Sequence, residues 1–328
     1  MCASRFPGRW CCAGVTEPMH SEGIERESKV RSVVQMIGIA VSLAALAFVG
    51  MAIHRSFGEL QQQLISPLFL AAVAGGAVAY AAVLQLIGLA WHRLLAAVDD
   101  PALPLKDALA IFGRTQIYKY LPSNVLHMVG RFAMARKAGV SNRALAFAQV
   151  GELSILVLAA TAMATLLSKS VLVDALARYG LNDPMLITAL MATGFIILAV
   201  GIILLFRSRM ASVGRKALSA AAMAFFLYIL FFIGNGLLIV VLCRALNFGG
   251  TGSTAELIGI GAAAWLIGFV VPGAPGGLGV REAVLIAGLS AAGFPAGIAT
   301  AVALGNRLVT ILGDGMVALC EFAIRRLW

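Results

Sequence analysis

Charged residues are scarce in this sequence. Asp, Glu, Lys and Arg make up only 12% of the 328 residues, whereas 61% are hydrophobic. A soluble globular protein is about a quarter charged and roughly half apolar, so a core of this size cannot hide the apolar surface and a water-soluble fold is excluded. The apolar runs are continuous and do not alternate with polar residues, which excludes a membrane β-barrel. The composition therefore predicts an all-α polytopic membrane protein.

Motifs for metals, nucleotides and covalent catalysis are also missing. The five cysteines form no CxxC pair and have no histidines at ligand spacing, so neither a zinc site nor a disulfide framework is indicated. The sequence has no phosphate-binding P-loop, no HExxH and no nucleophile elbow. We therefore predict no cofactor and no metal, while an enzymatic role stays open.

The net charge of +10 comes from 25 Lys and Arg against 15 Asp and Glu. In a soluble chain this excess would suggest nucleic acid. Here the basic residues lie mainly between apolar runs, where they set topology and meet anionic lipid headgroups. Membrane lipids, and not nucleic acid, are therefore the predicted partners.

Six apolar runs are long enough to cross a membrane, which takes about 20 residues. We predict spans at about residues 33–53, 68–91, 145–167, 185–206, 220–242 and 296–318. Residues 1–30 are polar, and we predict a disordered tail there, followed by one integral membrane domain over residues 31–326. Basic residues on alternate connections place both termini in the cytoplasm by the positive-inside rule, in the cell (inner or plasma) membrane.

Two further segments are too long for loops and too broken for spans. One covers about residues 106–130, and the other covers about residues 256–291 with a Pro-Gly-rich centre at 272–282. Irregular backbone at membrane depth survives only where protein or a watery cavity satisfies its polar groups. We therefore predict that both segments are re-entrant.

The order span, span, re-entrant segment, span occurs twice, in about residues 31–168 and 185–326. The two halves start on opposite sides of the membrane, so the predicted architecture is an inverted-topology repeat, which is typical of transporters. Arg131 follows Pro122 by nine residues and Arg281 follows Pro272 by nine, and this spacing aligns the two arginines.

Three charged residues, Glu152, Arg307 and Asp314, fall inside predicted spans. Each costs about 2.5–3.5 kcal/mol on insertion, so each needs a reason. Glu152 and Arg307 occupy comparable positions in the two halves. Either the three residues form a polar path for a headgroup or a proton, or Glu152 and Arg307 pair and lock the halves together.

The Pro-Gly-rich loop is the most specific local feature. Glycines permit close backbone approach, amides freed at a helix break can bind an anion, and the arginine fork suits phosphate. The alternative is a plain turn with a local Arg281–Glu282 pair. The predicted binding or translocation residues are Gly276, Gly277, Gly279, Arg281 and Glu282 here, and Lys119, Asn124 and Arg131 in the first half, where Tyr118 and His127 lie nearby.

Two motifs carry a resemblance to a known family. One runs from Tyr118-Lys-Tyr-Leu-Pro-Ser-Asn124 through Gly130-Arg131 and Gly139-Val-Ser141 to Glu152, and the other runs from Pro275-Gly-Gly-Leu-Gly-Val-Arg281-Glu282 to Arg307. With them the chain resembles the lysylphosphatidylglycerol synthase transmembrane-region family, a flippase-like membrane domain, over about residues 30–326. We expect the flippase-like part alone, a stand-alone member without the synthase domain.

The resemblance implies movement of a polar lipid between leaflets: a phospholipid, an aminoacyl-phospholipid or a lipid-linked sugar. In this hypothesis Arg131 and Arg281 contact phosphate, while Glu152, Arg307 and Asp314 shape the cavity or its gate. The alternatives are a membrane-embedded transferase acting on a lipid-linked sugar, with Glu152 or Asp314 as base, and a non-catalytic scaffold in cell-envelope biosynthesis. Enzymes of lipid or polysaccharide biosynthesis are the expected protein partners.

Overall fold

The computed structural model describes residues 46–55, 66–98, 103–120, 126–168, 214–246, 252–271 and 275–326, together with isolated positions elsewhere. Within these ranges all regular secondary structure is helical, and they contain no strand. Several predicted features lie outside the described residues: the tail at 1–30, most of the spans at 33–53 and 185–206, and Asn124.

Nine helices make up the described part of the chain. In order they are α1 (Leu46–Arg55), α2 (Pro67–Ala96), α3 (Leu105–Gln116), α4 (Leu126–Lys137), α5 (Asn142–Leu167), α6 (Gly214–Ala245), α7 (Thr254–Val270), α8 (Val280–Ala291) and α9 (Ala296–Arg326). Two 3₁₀ turns complete it. We call Ile117–Tyr120, between α3 and α4, the first tip, and Pro275–Gly277, between α7 and α8, the second tip.

Four helices, α2, α5, α6 and α9, are long and apolar enough to cross a membrane. The shortest, α5, has 26 residues, which is about 39 Å at 1.5 Å per residue against a hydrocarbon core of about 30 Å. Its first turn is capped by the Ser141 hydroxyl, which accepts a hydrogen bond from the N–H of Ala144 at 3.1 Å. The predictions at 68–91, 145–167, 220–242 and 296–318 are confirmed as helices of spanning length and composition.

Two segments, α3–α4 and α7–α8, each consist of two short helices with a break between them. The longest of these helices, α7, has 17 residues, or about 26 Å, which is less than the hydrocarbon core. The break between α7 and α8 depends on Gly276, Gly277 and Gly279, whose φ angles are 58°, 71° and 81°, a region that other residues rarely adopt. The segments predicted at 106–130 and 256–291 are therefore interrupted helices.

The same chain reversal follows both interrupted helices. Gly139 has φ 92°, and Val140 donates its N–H to the carbonyl five residues earlier at 3.1 Å. Gly293 has φ 88°, and Phe294 donates its N–H to the carbonyl five residues earlier at 3.0 Å. Both are Schellman turns with a buried apolar residue after the glycine. Each turn directs the chain from a short helix into a long one.

The helix bounds place two repeats in register. The start of α8 at residue 280 lies 154 positions after the start of α4 at 126, and the start of α9 at 296 lies 154 positions after the start of α5 at 142. Packing follows the same correspondence: α2 packs on α9 as α6 packs on α5, and α3 packs on α9 as α7 packs on α5. With α2 and α6 in contact at the centre, α2–α5 and α6–α9 form two similar repeats.

Candidate functional site

Two partly open cavities lie beside the tips of the interrupted helices. The first cavity, of about 670 Å³, is bounded mainly by α2–α5 and is closed by residues of α6, α7, α8 and the second tip. The second cavity, of about 440 Å³, is bounded by α6–α9 and by Tyr80 of α2. Three side chains line both cavities: Tyr80, Trp265 and Arg281. These three therefore form the partition between the cavities.

The cavities are lined from equivalent positions of the two repeats. The residues of α4 and α5 that line the first cavity are His127, Met128, Arg131, Glu152 and Leu156. The residues 154 positions later, which all line the second cavity, are Arg281, Glu282, Leu285, Asn306 and Thr310. Each repeat therefore builds one cavity from the same helix faces.

This register corrects the alignment drawn from the proline spacing. Arg131 corresponds to Leu285 rather than to Arg281, and the counterpart of Arg281 is His127. Glu152 corresponds to Asn306, one residue before Arg307. The two breaks have the same length, from residue 116 to 126 and from 270 to 280. The prolines at 122 and 272 are only 150 positions apart, so they are not equivalent, and counting from them misplaces the following helices by about one turn.

A buried ion pair joins α4 to α5 inside the first repeat. The Nη2 atom of Arg131 lies 2.7 and 2.8 Å from the two carboxylate oxygens of Glu152, and both side chains are buried. The guanidinium lies over the rings of Trp91 and Phe112, at 5.0 and 5.4 Å from their centroids. Glu152 therefore pairs within its own repeat, and the alternative of a Glu152–Arg307 pair is not what the structure contains, because each residue has a nearer opposite charge.

A second pair joins α8 to α9. Arg307 Nε lies 3.4 Å from Glu282 Oε1, and Arg307 Nη1 donates a hydrogen bond to the Gly276 carbonyl at 3.0 Å. The other oxygen of Glu282 accepts the N–H of Gly279 at 2.7 Å, which caps the start of α8. The carboxylate is thus used by Arg307 and Gly279, so the alternative of a plain turn held by a local Arg281–Glu282 pair is not what the structure contains.

The two repeats are joined by a polar contact that we call the interlock, made by Lys119 and Tyr120 of the first tip with Asp314 of α9. Lys119 Nζ donates to the two carboxylate oxygens at 3.0 and 3.2 Å, and the Tyr120 hydroxyl donates to one of them at 2.8 Å. The Tyr120 ring also lies 5.5 Å from the guanidinium of Arg307. The interlock fixes the first tip against the second repeat.

Arg281 has no such partner among the described residues. Its guanidinium lies over the ring of Trp265, 5.4 Å from the centroid, and its Nε is buried without a hydrogen-bond acceptor. A Cβ at Gly268 would collide with the Arg281 side chain, and a Cβ at Gly277 would lie 2.9 Å from its Nε. The two glycines therefore make room for a cation that faces both cavities.

Most of the residues predicted from sequence come together here. The first cavity is lined by Lys119, Arg131, Glu152, Gly276, Gly277 and Arg281, and the second by Arg281, Glu282 and Arg307. Gly279 caps α8 and Asp314 belongs to the interlock, whereas Asn124 lies outside the described residues. Sequence reasoning missed Tyr80 and Trp265, which lie in apolar runs without any signal, and Asn306, a polar residue within a span that could have been noticed.

These features define a class: a multi-pass helical membrane protein with two repeats, interrupted helices and two cavities that charged side chains help to line. The family described as Lysylphosphatidylglycerol synthase TM region matches residues 35–317, and the chain belongs to this family. The resemblance seen in the sequence is thereby confirmed. No curated protein matches the chain.

Proposed function

We propose that this protein is a translocase that moves the polar headgroup of a phosphate-bearing lipid across the membrane while the acyl tails stay in the bilayer. The observation that carries the proposal is the guanidinium of Arg281, which lies between two cavities without an acceptor among the described residues. A partly buried charge without a hydrogen-bonding partner is costly. A phosphate offers two oxygens in the geometry that arginine binds best, so a headgroup phosphate would remove that cost.

The directions of the central helices support an inverted arrangement in the membrane. Val83 of α2 lies against Gly234 of α6, while Leu84 and Ile87, later in α2, share the first cavity with Phe231, which is earlier in α6. The two equivalent helices therefore run in opposite directions, as they do in inverted repeats of transporters. We place six crossing helices in the inner or plasma membrane, both termini in the cytoplasm, and the interrupted segments as re-entrant elements from opposite sides.

In this arrangement the two cavities are successive positions for one headgroup. Because Arg281 lines both of them, its guanidinium can keep hold of a phosphate on either side of the partition. The sequence has no nucleotide-binding motif, so the movement is downhill or is driven by protons or by the membrane potential. A phospholipid, an aminoacyl-phospholipid or a lipid-linked sugar has the required phosphate, and enzymes of lipid or polysaccharide biosynthesis would supply it.

Translocation in liposomes tests the proposal. The chain is reconstituted into phosphatidylcholine liposomes with a trace of NBD-labelled phosphatidylglycerol, and added dithionite bleaches the label that reaches the outer leaflet. We expect the wild type to deliver inner-leaflet label to the outer leaflet and Arg281→Gln to slow this at least about tenfold, because a charge-assisted hydrogen bond is lost. Lys137→Gln removes an exposed cation at the end of α4 and should behave as the wild type does.

The outcomes separate translocation from the alternatives. If the wild type moves neither labelled phospholipid nor a lipid-linked sugar, the translocase proposal fails. Formation of a product from a lipid-linked sugar in detergent, where there are no leaflets, would indicate a transferase instead. A scaffold would be indicated if cells carrying Arg281→Gln at normal expression showed the wild-type phenotype.

A further inference from the structure

His127 and Arg281 occupy equivalent positions in the two repeats. Each is the second residue of the short helix that follows a break, His127 in α4 and Arg281 in α8. Both side chains line the first cavity. The first turn of a helix also presents free N–H groups and the positive end of its dipole. The first cavity is therefore approached by two equivalent helix starts, each carrying a side chain that can bear positive charge.

Two of the cations that face this cavity are held by carboxylates. Lys119 is held by Asp314, and Arg131 is held by Glu152. The titratable and charged groups that face His127 across the cavity from the neighbouring elements are Tyr80, Lys119, Glu152 and Arg281, with Arg131 on its own helix. Arg281 is the cation of this set whose guanidinium donates no hydrogen bond to a described residue. Arg281 is therefore the cation of this set that is available to bind an anion in the cavity.

We propose that His127 and Arg281 hold one phosphodiester between them in the first cavity, each donating to one of its two non-bridging oxygens. The proposal rests on the translocase function and names the binding residue that the first repeat contributes to it. Arginine stays charged throughout the accessible pH range. Histidine is the side chain that ordinarily changes charge between pH 5 and 8. A neutral imidazole can still donate a hydrogen bond from one ring nitrogen. The contact gains a full positive charge only when the imidazole is protonated, so anion binding weakens as the pH rises.

A probe of constant charge tests this contact. Dihexanoyl phosphatidylglycerol, whose phosphodiester keeps one negative charge between pH 5.5 and 8, is titrated calorimetrically into the protein in dodecyl maltoside, with dihexanoylglycerol correcting for entry into the micelle. We expect the wild type to bind the probe roughly tenfold more tightly at pH 5.5 than at pH 8, the effect of one charge-assisted hydrogen bond. His127→Gln should bind equally at both pH values, with the affinity of the wild type at pH 8.

His127→Arg provides the second variant, because it places a permanent cation where the repeat register puts Arg281. It should bind the probe at pH 8 as tightly as the wild type binds it at pH 5.5. The proposal is overturned if His127→Gln keeps the full pH dependence, or if His127→Arg binds no more tightly at pH 8. Binding that follows residue 127 without translocation in liposomes would overturn the translocase alone. Translocation with binding indifferent to residue 127 would overturn the two-residue contact alone.

Discussion

The two cavities are built from the same helix faces but hold different charges. In the first repeat Arg131 and Glu152 form a buried ion pair, whereas the equivalent positions in the second repeat are Leu285 and Asn306. The second repeat has its own pair, Glu282 with Arg307, in which the short helix supplies the anion and the long helix the cation. Each repeat thus ties a short helix to the long helix that follows it, with opposite polarity and at a shifted position.

The different use of carboxylates in the two repeats explains why Arg281 has no carboxylate of the described residues bound to its guanidinium. The second repeat uses Glu282 both to cap α8 and to pair with Arg307, so this carboxylate, next to Arg281 in the sequence, makes no hydrogen bond to it. In the first repeat the cation of the short helix, Arg131, is instead satisfied by Glu152. The contact of Arg131 with phosphate accordingly stays a prediction, while Arg281 is the stronger candidate for an anion.

The largest expected effect comes from breaking the pair of the first repeat. Glu152→Gln leaves Arg131 buried without a counter-charge and should lower the free energy of unfolding by about 3–5 kcal/mol. Thermal unfolding in detergent, followed by circular dichroism at 222 nm, measures it. The matched control is Asn306→Ala at the equivalent position of the second repeat, where no ion pair is lost and the decrease should be much smaller. Equal decreases at both positions would remove the distinction between the repeats.

A double variant tests whether the charges of Arg131 and Glu152 account for this loss of stability. Arg131→Met combined with Glu152→Leu removes both charges and fills the space with apolar atoms, so it should recover most of the stability that Glu152→Gln loses. If the double variant unfolds as readily as Glu152→Gln, the side chains contribute through shape and not through their charges. Circular dichroism of both proteins in one detergent makes the comparison.

The interlock should give an intermediate effect. Asp314→Asn keeps the size of the side chain but removes the charge that Lys119 and Tyr120 share, and should lower the free energy of unfolding by about 1–3 kcal/mol. Lys119→Gln should cost less, because the Lys119 side chain is 23% exposed and water can replace part of the contact. Chemical unfolding in mixed micelles ranks the two. Stability unchanged in Asp314→Asn would show that the interlock does not hold the repeats together.

The smallest effect should be the same in both repeats. Gly139→Ala and Gly293→Ala each place a Cβ on a residue with φ near 90° and should cost about 1–2 kcal/mol. Nothing lies within 4 Å of a Cβ built on Gly139, so backbone strain alone sets its cost. Midpoint temperatures measured side by side should fall by similar amounts. A large difference between them would mean that the two Schellman turns are not equivalent.

The sequence predicted the helices and their breaks well, but it predicted the ion pairs between side chains poorly. Long apolar runs predict helices reliably, since the bilayer leaves backbone groups few other ways to be satisfied, and the glycines at 276, 277 and 279 predicted a break that the positive φ angles explain. The pairing of Glu152 could not be read from spacing. Arg131, 21 residues earlier, and Arg307, in the other repeat, are both cations at plausible helix positions, and only their three-dimensional distances separate them.

The sequence by itself determined that this is a helical membrane protein with two interrupted segments, because hydropathy, proline and glycine act locally along the chain. Only the tertiary structure decided which charges neutralise one another. Ion pairing depends on distances of about 3 Å between residues far apart in sequence, and a shift of one helical turn is enough to change every partner. In the structure Glu282 pairs with Arg307, and the guanidinium of Arg281 lies between two cavities without a described acceptor. The repeat register makes His127 the counterpart of Arg281.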